Sequence, residues 1–121
     1  MRLFRFDAAI GHTITQFASR EAVITGIQRG SMQLQLGCLH LGPGGVLGYH
    51  PATTRQLLLV VAGNGWVRAG TETRRPIAVG QAAYWEPGEE HETATDTGLT
   101  AIMLESDSLE PAQFLREEPP A

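Results

Sequence analysis

Two histidines and a glutamine stand at spacings that could bring their side chains to one site in a β protein. His50 and Gln56 are six residues apart, and an even spacing places both side chains on the same face of an extended strand. His91 is in phase with Thr93 and Thr95 in a second segment. If both faces point into a barrel, His50, Gln56 and His91 can converge. Such a set could bind a divalent cation, or the two histidines could be partly buried and hydrogen-bonded without metal.

Neighbouring side chains could contact a bound molecule. Tyr49 precedes His50 and is a candidate ligand contact, and Glu86 could reach the site as a supporting carboxylate or general base. The usual alternative for Glu86 is a solvated acidic loop. His40 is a reserve imidazole, although a structural histidine is the simpler interpretation. Cys38, the single cysteine, is most simply a small buried apolar residue on a strand.

Short strands separated by glycine turns must carry these side chains. The chain has 121 residues, of which 14 are glycine and seven are proline, and this density favours many short strands over a helical bundle. In the segment 81–85, Tyr84 and Trp85 lie on opposite faces, and the pattern leaves open which one lines a pocket. Residues 110–117 could form a short helix, or the tail could be frayed. Hydrophobic alternation predicts about eight to ten strands, among them 32–41, 56–61, 66–69, 81–85 and 99–105.

The charge inventory excludes several functions. All nine basic residues are arginine, so no lysine is available for a Schiff base or a phosphate-binding ammonium group. The net charge is −4 and there is no basic run, which argues against nucleic-acid binding. No apolar run approaches the roughly 20 residues of a membrane helix. Because the single cysteine cannot form an internal disulfide and no segment resembles a signal peptide, we expect a cytoplasmic protein without a membrane or nucleic-acid partner.

Two segments of the chain follow a spaced pattern of glycines, histidines and a proline. The first is Gly44, five residues, His50, then Ala52, then Gln56, six residues and Gly63; the second is Gly80, five residues, Glu86-Pro87-Gly88, two residues and His91. These segments resemble the two motifs of the cupin superfamily, closely over residues 44–91 and loosely to about residue 105. The resemblance implies one all-β jelly-roll barrel (a double-stranded β-helix) over residues 1–105, followed by a C-terminal tail at 106–121.

Two departures from the cupin pattern change the residues available to bind a metal. Cupin metal centres use three histidines and one glutamate, whereas here Ala52 replaces one histidine and Gln56 replaces the glutamate. The resemblance therefore implies an incomplete centre in which His50, Gln56 and His91 hold a divalent metal, and zinc, iron, manganese, nickel and copper all stay open. Gln56 could instead orient a ligand or a water molecule through its amide.

Three functions follow from this pattern. The first is a small cupin-domain protein that binds a divalent metal, a small organic ligand or both in its barrel. The second is a metal-dependent oxygenase, isomerase or lyase acting on a small organic molecule, and the third is a metal-free structural dimer. The missing ligands favour the first over the second, and the retained histidines argue against the third. Residues 57–61 are apolar on both faces, which predicts a homodimer packed sheet to sheet.

Overall fold

The computed structural model describes residues 1–120 and consists of strands joined by short loops; Ala121, the last residue of the predicted tail, lies outside the described residues. The strands are β1 (Arg2–Arg5), β2 (His12–Thr13), β3 (Val23–Ile24), β4 (Gln35–Leu41), β5 (Val46–Pro51), β6 (Gln56–Ala69), β7 (Arg75–Ala78), β8 (Gln81–Trp85), β9 (Glu90–Ala94), β10 (Leu99–Glu105) and β11 (Arg116–Glu117). The helical elements of the described residues are two 3₁₀ turns, at Ala8–Ile10 and Pro111–Gln113. The all-β prediction is therefore confirmed.

Two antiparallel sheets form the jelly roll and share β6. The first sheet has the order β11-β1-β8-β6-β10-β4. In the second sheet the later part of β6 pairs with β7 and β9, and β9 pairs with β5. A short separate ladder joins β2 to β3. Since β6 belongs to both sheets, the side chains of the two layers meet on a common interior.

The long strand β6 runs through a glycine-rich segment that the sequence predicts as a break. The hydrophobic pattern ends one strand at Val61 and begins another at Trp66, yet one strand continues through the residues between them. The strand changes sheets there, pairing with β8 and β10 before the segment and with β7 and β9 after it. Gly63 allows this crossing, because its φ is +76° and a Cβ atom there would overlap the carbonyl oxygen of Gly98.

The interior between the sheets is an apolar core to which alternate residues of each strand contribute. Leu58 and Val60 point inward from the first part of β6, and Val67 does so from its later part. Trp85 completes the cluster from β8 and is fully buried. The period-two alternation of the strands places these side chains on the interior face.

The opposite face of the first sheet is covered by the chain's own loops and tail. Leu57 and Leu59 point outward from β6 and are 1% and 3% exposed. They belong to a second apolar cluster with Ile27 from the loop before β4 and with Leu109 and Leu115 from the tail. The two-sided apolar character of β6 thus reflects burial on both faces within one chain. The apolar pattern of residues 57–61 is therefore not evidence for the predicted homodimer.

The tail after residue 105 contains little helix. Of the two possibilities for residues 110–117, a short helix or a frayed segment, the structure shows neither in full, because a 3₁₀ turn forms at Pro111–Gln113 and β11 follows it. β11 pairs with β1, where the Arg2 guanidinium donates two hydrogen bonds, of 2.9 and 2.7 Å, to the Glu117 carboxylate. Pairing with the edge of the sheet satisfies backbone groups that a helix would have paired within itself. No helix among residues 1–120 is long and apolar enough to span a membrane.

Candidate functional site

His50 and His91 face each other across β5 and β9. They are register partners in this antiparallel pair, and their ring centroids are 4.4 Å apart with 56° between the planes. A bulge in β5 produces this pairing, because Leu47 pairs with Thr93 and three steps along β5 therefore match two steps along β9. Without the extra residue, Tyr49 rather than His50 would stand opposite His91.

Each imidazole of the pair is anchored through its Nδ1 atom. The Nδ1 of His50 is 2.7 Å from the carbonyl oxygen of Gly48, and the Nδ1 of His91 is 3.0 Å from that of Glu89. A carbonyl oxygen can only accept, so each Nδ1 carries a hydrogen and donates it, which leaves the Nε2 of a neutral ring with its lone pair. Proteins orient metal-binding histidines with hydrogen bonds of this kind.

His91 is buried among groups that lack hydrogen-bond partners. It is 1% exposed, and its ring stacks on the Trp85 indole at a centroid distance of 4.2 Å. Burial lowers the pKa of His91 below its ordinary value of 6.5, although the hydrogen bond to the Glu89 carbonyl opposes this change. Within residues 1–120, the His91 Nε2, the Trp85 Nε1 and the Thr93 hydroxyl have no hydrogen-bond partner. Buried polar atoms of this kind point to a bound water, ion or ligand.

The burial of His91 predicts a pH dependence for protein kept free of divalent metal. The pKa of His91 is lower in the folded than in the unfolded chain, so the unfolded chain takes up its proton first as the pH falls. Above pH 6.5, the ordinary pKa, neutral His91 does not reduce the free energy of unfolding. As the pH falls from there toward the lower pKa of the folded chain, the free energy of unfolding therefore decreases progressively. Urea unfolding measured between about pH 5 and pH 8 should show that the free energy of unfolding falls more steeply with decreasing pH for the wild type than for His91→Gln. Identical slopes for the two proteins would contradict this prediction.

An open cavity of about 290 Å³ lies beside the histidine pair. Gln56 lines it and is 2% exposed, and its register partner on β8 is Trp85, whose ring stacks on His91. The structure thus places two of the predicted metal ligands, His50 and Gln56, on one cavity, whereas the third, His91, does not line it but contacts the rings of His50 and Trp85. The polar lining residues are Gln35, His50, Gln56 and Glu105, and the apolar ones include Leu39 and Met103.

A divalent metal at this position would have two imidazole ligands and open coordination positions. Among residues 1–120, no three His, Cys, Asp or Glu side chains gather closely enough to hold a metal ion. A metal at the histidine pair would therefore take the two Nε2 atoms and complete its coordination with the neutral oxygen of Gln56 and exchangeable molecules.

The two predicted ligand contacts, Tyr49 and Glu86, do not line this cavity. The Tyr49 hydroxyl donates a hydrogen bond of 3.0 Å to the Gly70 carbonyl, and the Arg68 guanidinium lies 4.7 Å from the centre of the Tyr49 ring. The Glu86 side chain is 54% exposed, and its carboxylate lies 3.9 Å from the Arg55 guanidinium. Both residues are adjacent in sequence to inward-facing ones, and successive strand residues point to opposite faces.

Of the remaining candidates, His40 lies outside the cavity lining and is exposed on β4, opposite Thr100 of β10. Cys38, on the same strand, is exposed and lines the cavity, so the prediction that it is buried was wrong. Ala52, which stands where cupins have a second histidine, is 4% exposed and packs in the interior cluster. The open question about β8 is resolved as well, because Trp85 faces the interior and Tyr84 belongs to the outer cluster.

Glu105 and Gln35 line the cavity although neither was predicted as a site residue. Glu105 is the charged one of the two. It ends β10 and is the register partner of Gln56 on β6 and of Gln35 on β4. The predicted strand 99–105 already placed Glu105 in phase with Met103. Which face of that strand points inward, and that Gln56 lies beside it, depend on the pairing of strands distant in sequence.

Two antiparallel sheets that share one long strand are the arrangement of a jelly-roll fold. No family model and no curated protein matches the sequence. Solved structures do match it. A cupin-like protein from Thermotoga maritima superposes with a TM-score of 0.59 and 21% identity, covering 62% of this chain and 58% of that one. A cupin superfamily protein from Desulfitobacterium hafniense has a TM-score of 0.58 and 10% identity, over 73% of this chain and 80% of that one.

An enzyme is also among the similar structures. The DMSP lyase of Ruegeria pomeroyi has a TM-score of 0.59 and 20% identity, covering 88% of this chain and 57% of the enzyme. This chain thus spans a little over half the length of the Thermotoga protein and of the lyase. At such identities the likeness shows the fold: the chain has the cupin fold, and the predicted resemblance is confirmed at that level.

Proposed function

We propose that this chain binds a divalent metal at the histidine pair and a small organic ligand in the adjoining cavity. The proposal rests on one observation, that the Nε2 atoms of His50 and His91 are both left free to bind a metal. Both rings are anchored through Nδ1, they face each other across β5 and β9, and the buried Nε2 of His91 has no protein partner within residues 1–120. A buried nitrogen of this kind is costly unless something binds it.

The donor set supports binding more than it defines a reaction. His50, His91 and Gln56 would supply only neutral donors, which zinc, iron, manganese, nickel and copper all accept. A metal held this way keeps its full positive charge and could polarise an oxygen or nitrogen of a ligand in the cavity. The interior position of Trp85 and Thr93 adds two further hydrogen-bonding groups behind the pair.

Metal content is the direct test of this proposal. After reconstitution with excess Zn²⁺ or Mn²⁺ and desalting, untagged protein should retain about one equivalent of metal per chain, measured by inductively coupled plasma mass spectrometry. The matched control is protein treated in parallel with a chelator. Retention indistinguishable from that control for every metal offered would refute the metal part of the proposal.

An enzymatic role is the second candidate, and the similar structures motivate it. They include the lyase and a predicted oxalate decarboxylase from Thermotoga maritima, which has 20% identity and a TM-score of 0.54. The cavity lining of this chain contains the carboxylate of Glu105 and no arginine or lysine in the part that the structure describes. A doubly charged anion would therefore find only the metal as a counter-charge. Turnover that disappears in a His50→Ala variant would establish the enzymatic role.

A homodimer remains the proposed assembly, through a different strand from the one the sequence indicated. β4 ends the order of the first sheet, and on its outer face Leu36 is 64% exposed, next to Leu34 at 53%. An edge strand with exposed leucines pairs readily with another chain. Sedimentation velocity should show a dimer for the wild type and a monomer for Leu36→Glu, whereas Val79→Glu, at a residue 59% exposed in a turn, should stay dimeric. A monomeric wild type would exclude this assembly.

A further inference from the structure

A row of three polar residues crosses the first sheet on the cavity face. Gln35 of β4, Glu105 of β10 and Gln56 of β6 are successive register partners, and all three line the same cavity as His50. Register partners on neighbouring strands project to the same side with their Cβ atoms about 5 Å apart, so the two amides flank the carboxylate. We call Gln35, Glu105 and Gln56 the polar row.

The charge of the polar row is not neutralised by the protein. Among residues 1–120, no ion pair and no side-chain hydrogen bond involves the Glu105 carboxylate, whereas five other acidic side chains have an arginine partner: Asp7, Glu86, Glu92, Glu110 and Glu117. The cavity lining of the described chain supplies no arginine or lysine. A carboxylate in such a cavity favours a cation, and the amide carbonyl oxygens on either side can accept further hydrogen bonds.

The rest of the cavity limits what such a cation can be. Leu39 and Met103 give the cavity an aliphatic wall, and Gly37, with no side chain, leaves room between the polar row and that wall. A volume of about 290 Å³ suits a molecule of small size. Glu105 does not join the histidines in a cluster that could hold a metal, so its carboxylate is available to a ligand.

We infer that the ligand of this cavity is a small organic molecule with a protonated amine, and that Glu105, assisted by Gln35, binds the amine. This inference rests on the proposed function in one respect, namely that the cavity receives a small organic ligand. The ammonium group donates to the Glu105 carboxylate and to the Gln35 carbonyl, and the alkyl part of the molecule lies against Met103 and Leu39. Glu105 is thus a specificity-determining residue that selects a cation over a neutral molecule of the same shape.

Two small probes of matched shape test this selectivity. n-Butylammonium and n-butanol are titrated into ¹⁵N-labelled protein at constant ionic strength, and the side-chain amide signals of Gln35 and Gln56 are followed by NMR. The amine should bind about tenfold more tightly than the alcohol, because hydrogen bonds to a charged group are the stronger ones. Glu105→Gln should bind both probes equally. Glu21→Gln, which makes the same charge change at an exposed residue outside the cavity lining, should keep the preference. Gln35→Ala should reduce the preference severalfold.

Metal content is measured on each sample, so that the inference and the proposed function are judged separately. An amine preference that Glu105→Gln removes supports the inference, whether or not the protein carries metal. Equal affinities in the wild type, or a preference retained in Glu105→Gln, would overturn it even in a metal-loaded protein. Loss of bound metal in Glu105→Gln would also overturn it, because the carboxylate would then belong to the metal site.

Discussion

Replacing His91 with alanine should raise the dissociation constant for a divalent metal by more than about 100-fold. Loss of the hydrogen-bond partner of a metal ligand already costs roughly 10- to 100-fold in affinity, and this variant would lose one of the two proposed imidazole ligands. The remaining donors would be His50 and the weak neutral oxygen of Gln56. Isothermal titration calorimetry of chelator-treated protein with Zn²⁺ measures the change.

The controls for this experiment separate coordination from folding. His91 is fully buried and stacked on Trp85, so its replacement also disturbs the core. His50 is only half-buried, and His50→Ala should show the same loss of affinity with little change in thermal stability. His40→Ala removes an exposed imidazole from β4 and should bind metal like the wild type. If both His50→Ala and His91→Ala bound metal with wild-type affinity, the histidine pair would be excluded as the metal site.

The largest effect on stability is expected for Gly63→Ala. Gly63 has a φ of +76°, and a Cβ atom there would overlap the backbone at Gly98 and approach the Cα of Leu99 to 3.1 Å. Left-handed strain of about 1 kcal/mol adds to roughly 2 kcal/mol of steric displacement, because backbone cannot rotate away as a side chain can. The melting temperature should fall by roughly 10 °C, as followed by circular dichroism.

Gly44→Ala provides a matched control for this substitution. Gly44 has the same φ of +76°, but a Cβ atom there meets nothing within 4 Å. Its replacement should therefore cost only the left-handed strain, about 1 kcal/mol. If the two variants lost equal stability, the tight crossing of β6 past the turn at Gly98 would not be a constraint on the fold.

Much of the fold could be predicted from local patterns. Strand β8 at 81–85 and strand β10 at 99–105 were predicted at their observed bounds, because apolar alternation and bordering glycines are properties of the segments themselves. The continuity of β6 across Gly63 was missed, since a glycine-rich segment marks a loop in most contexts and becomes part of a strand only when other strands pair with it. Strand β11 in the tail was missed for the same reason. Its backbone groups are satisfied by β1, more than 100 residues away in sequence.

The sequence by itself predicted the cupin fold, through the resemblance of its two motifs to those of cupins, and singled out His50, Gln56 and His91. Tertiary structure decided which side chains reach the cavity. The bulge in β5 reverses the phase of alternation and turns His50 toward His91, while Tyr49 points away; a period-two pattern cannot reveal one extra residue on one strand. Register between β4, β10 and β6 then put Glu105 between two glutamines. A carboxylate absent from position 56 is thereby present one strand away, because strand pairing joins residues that no spacing along the chain relates.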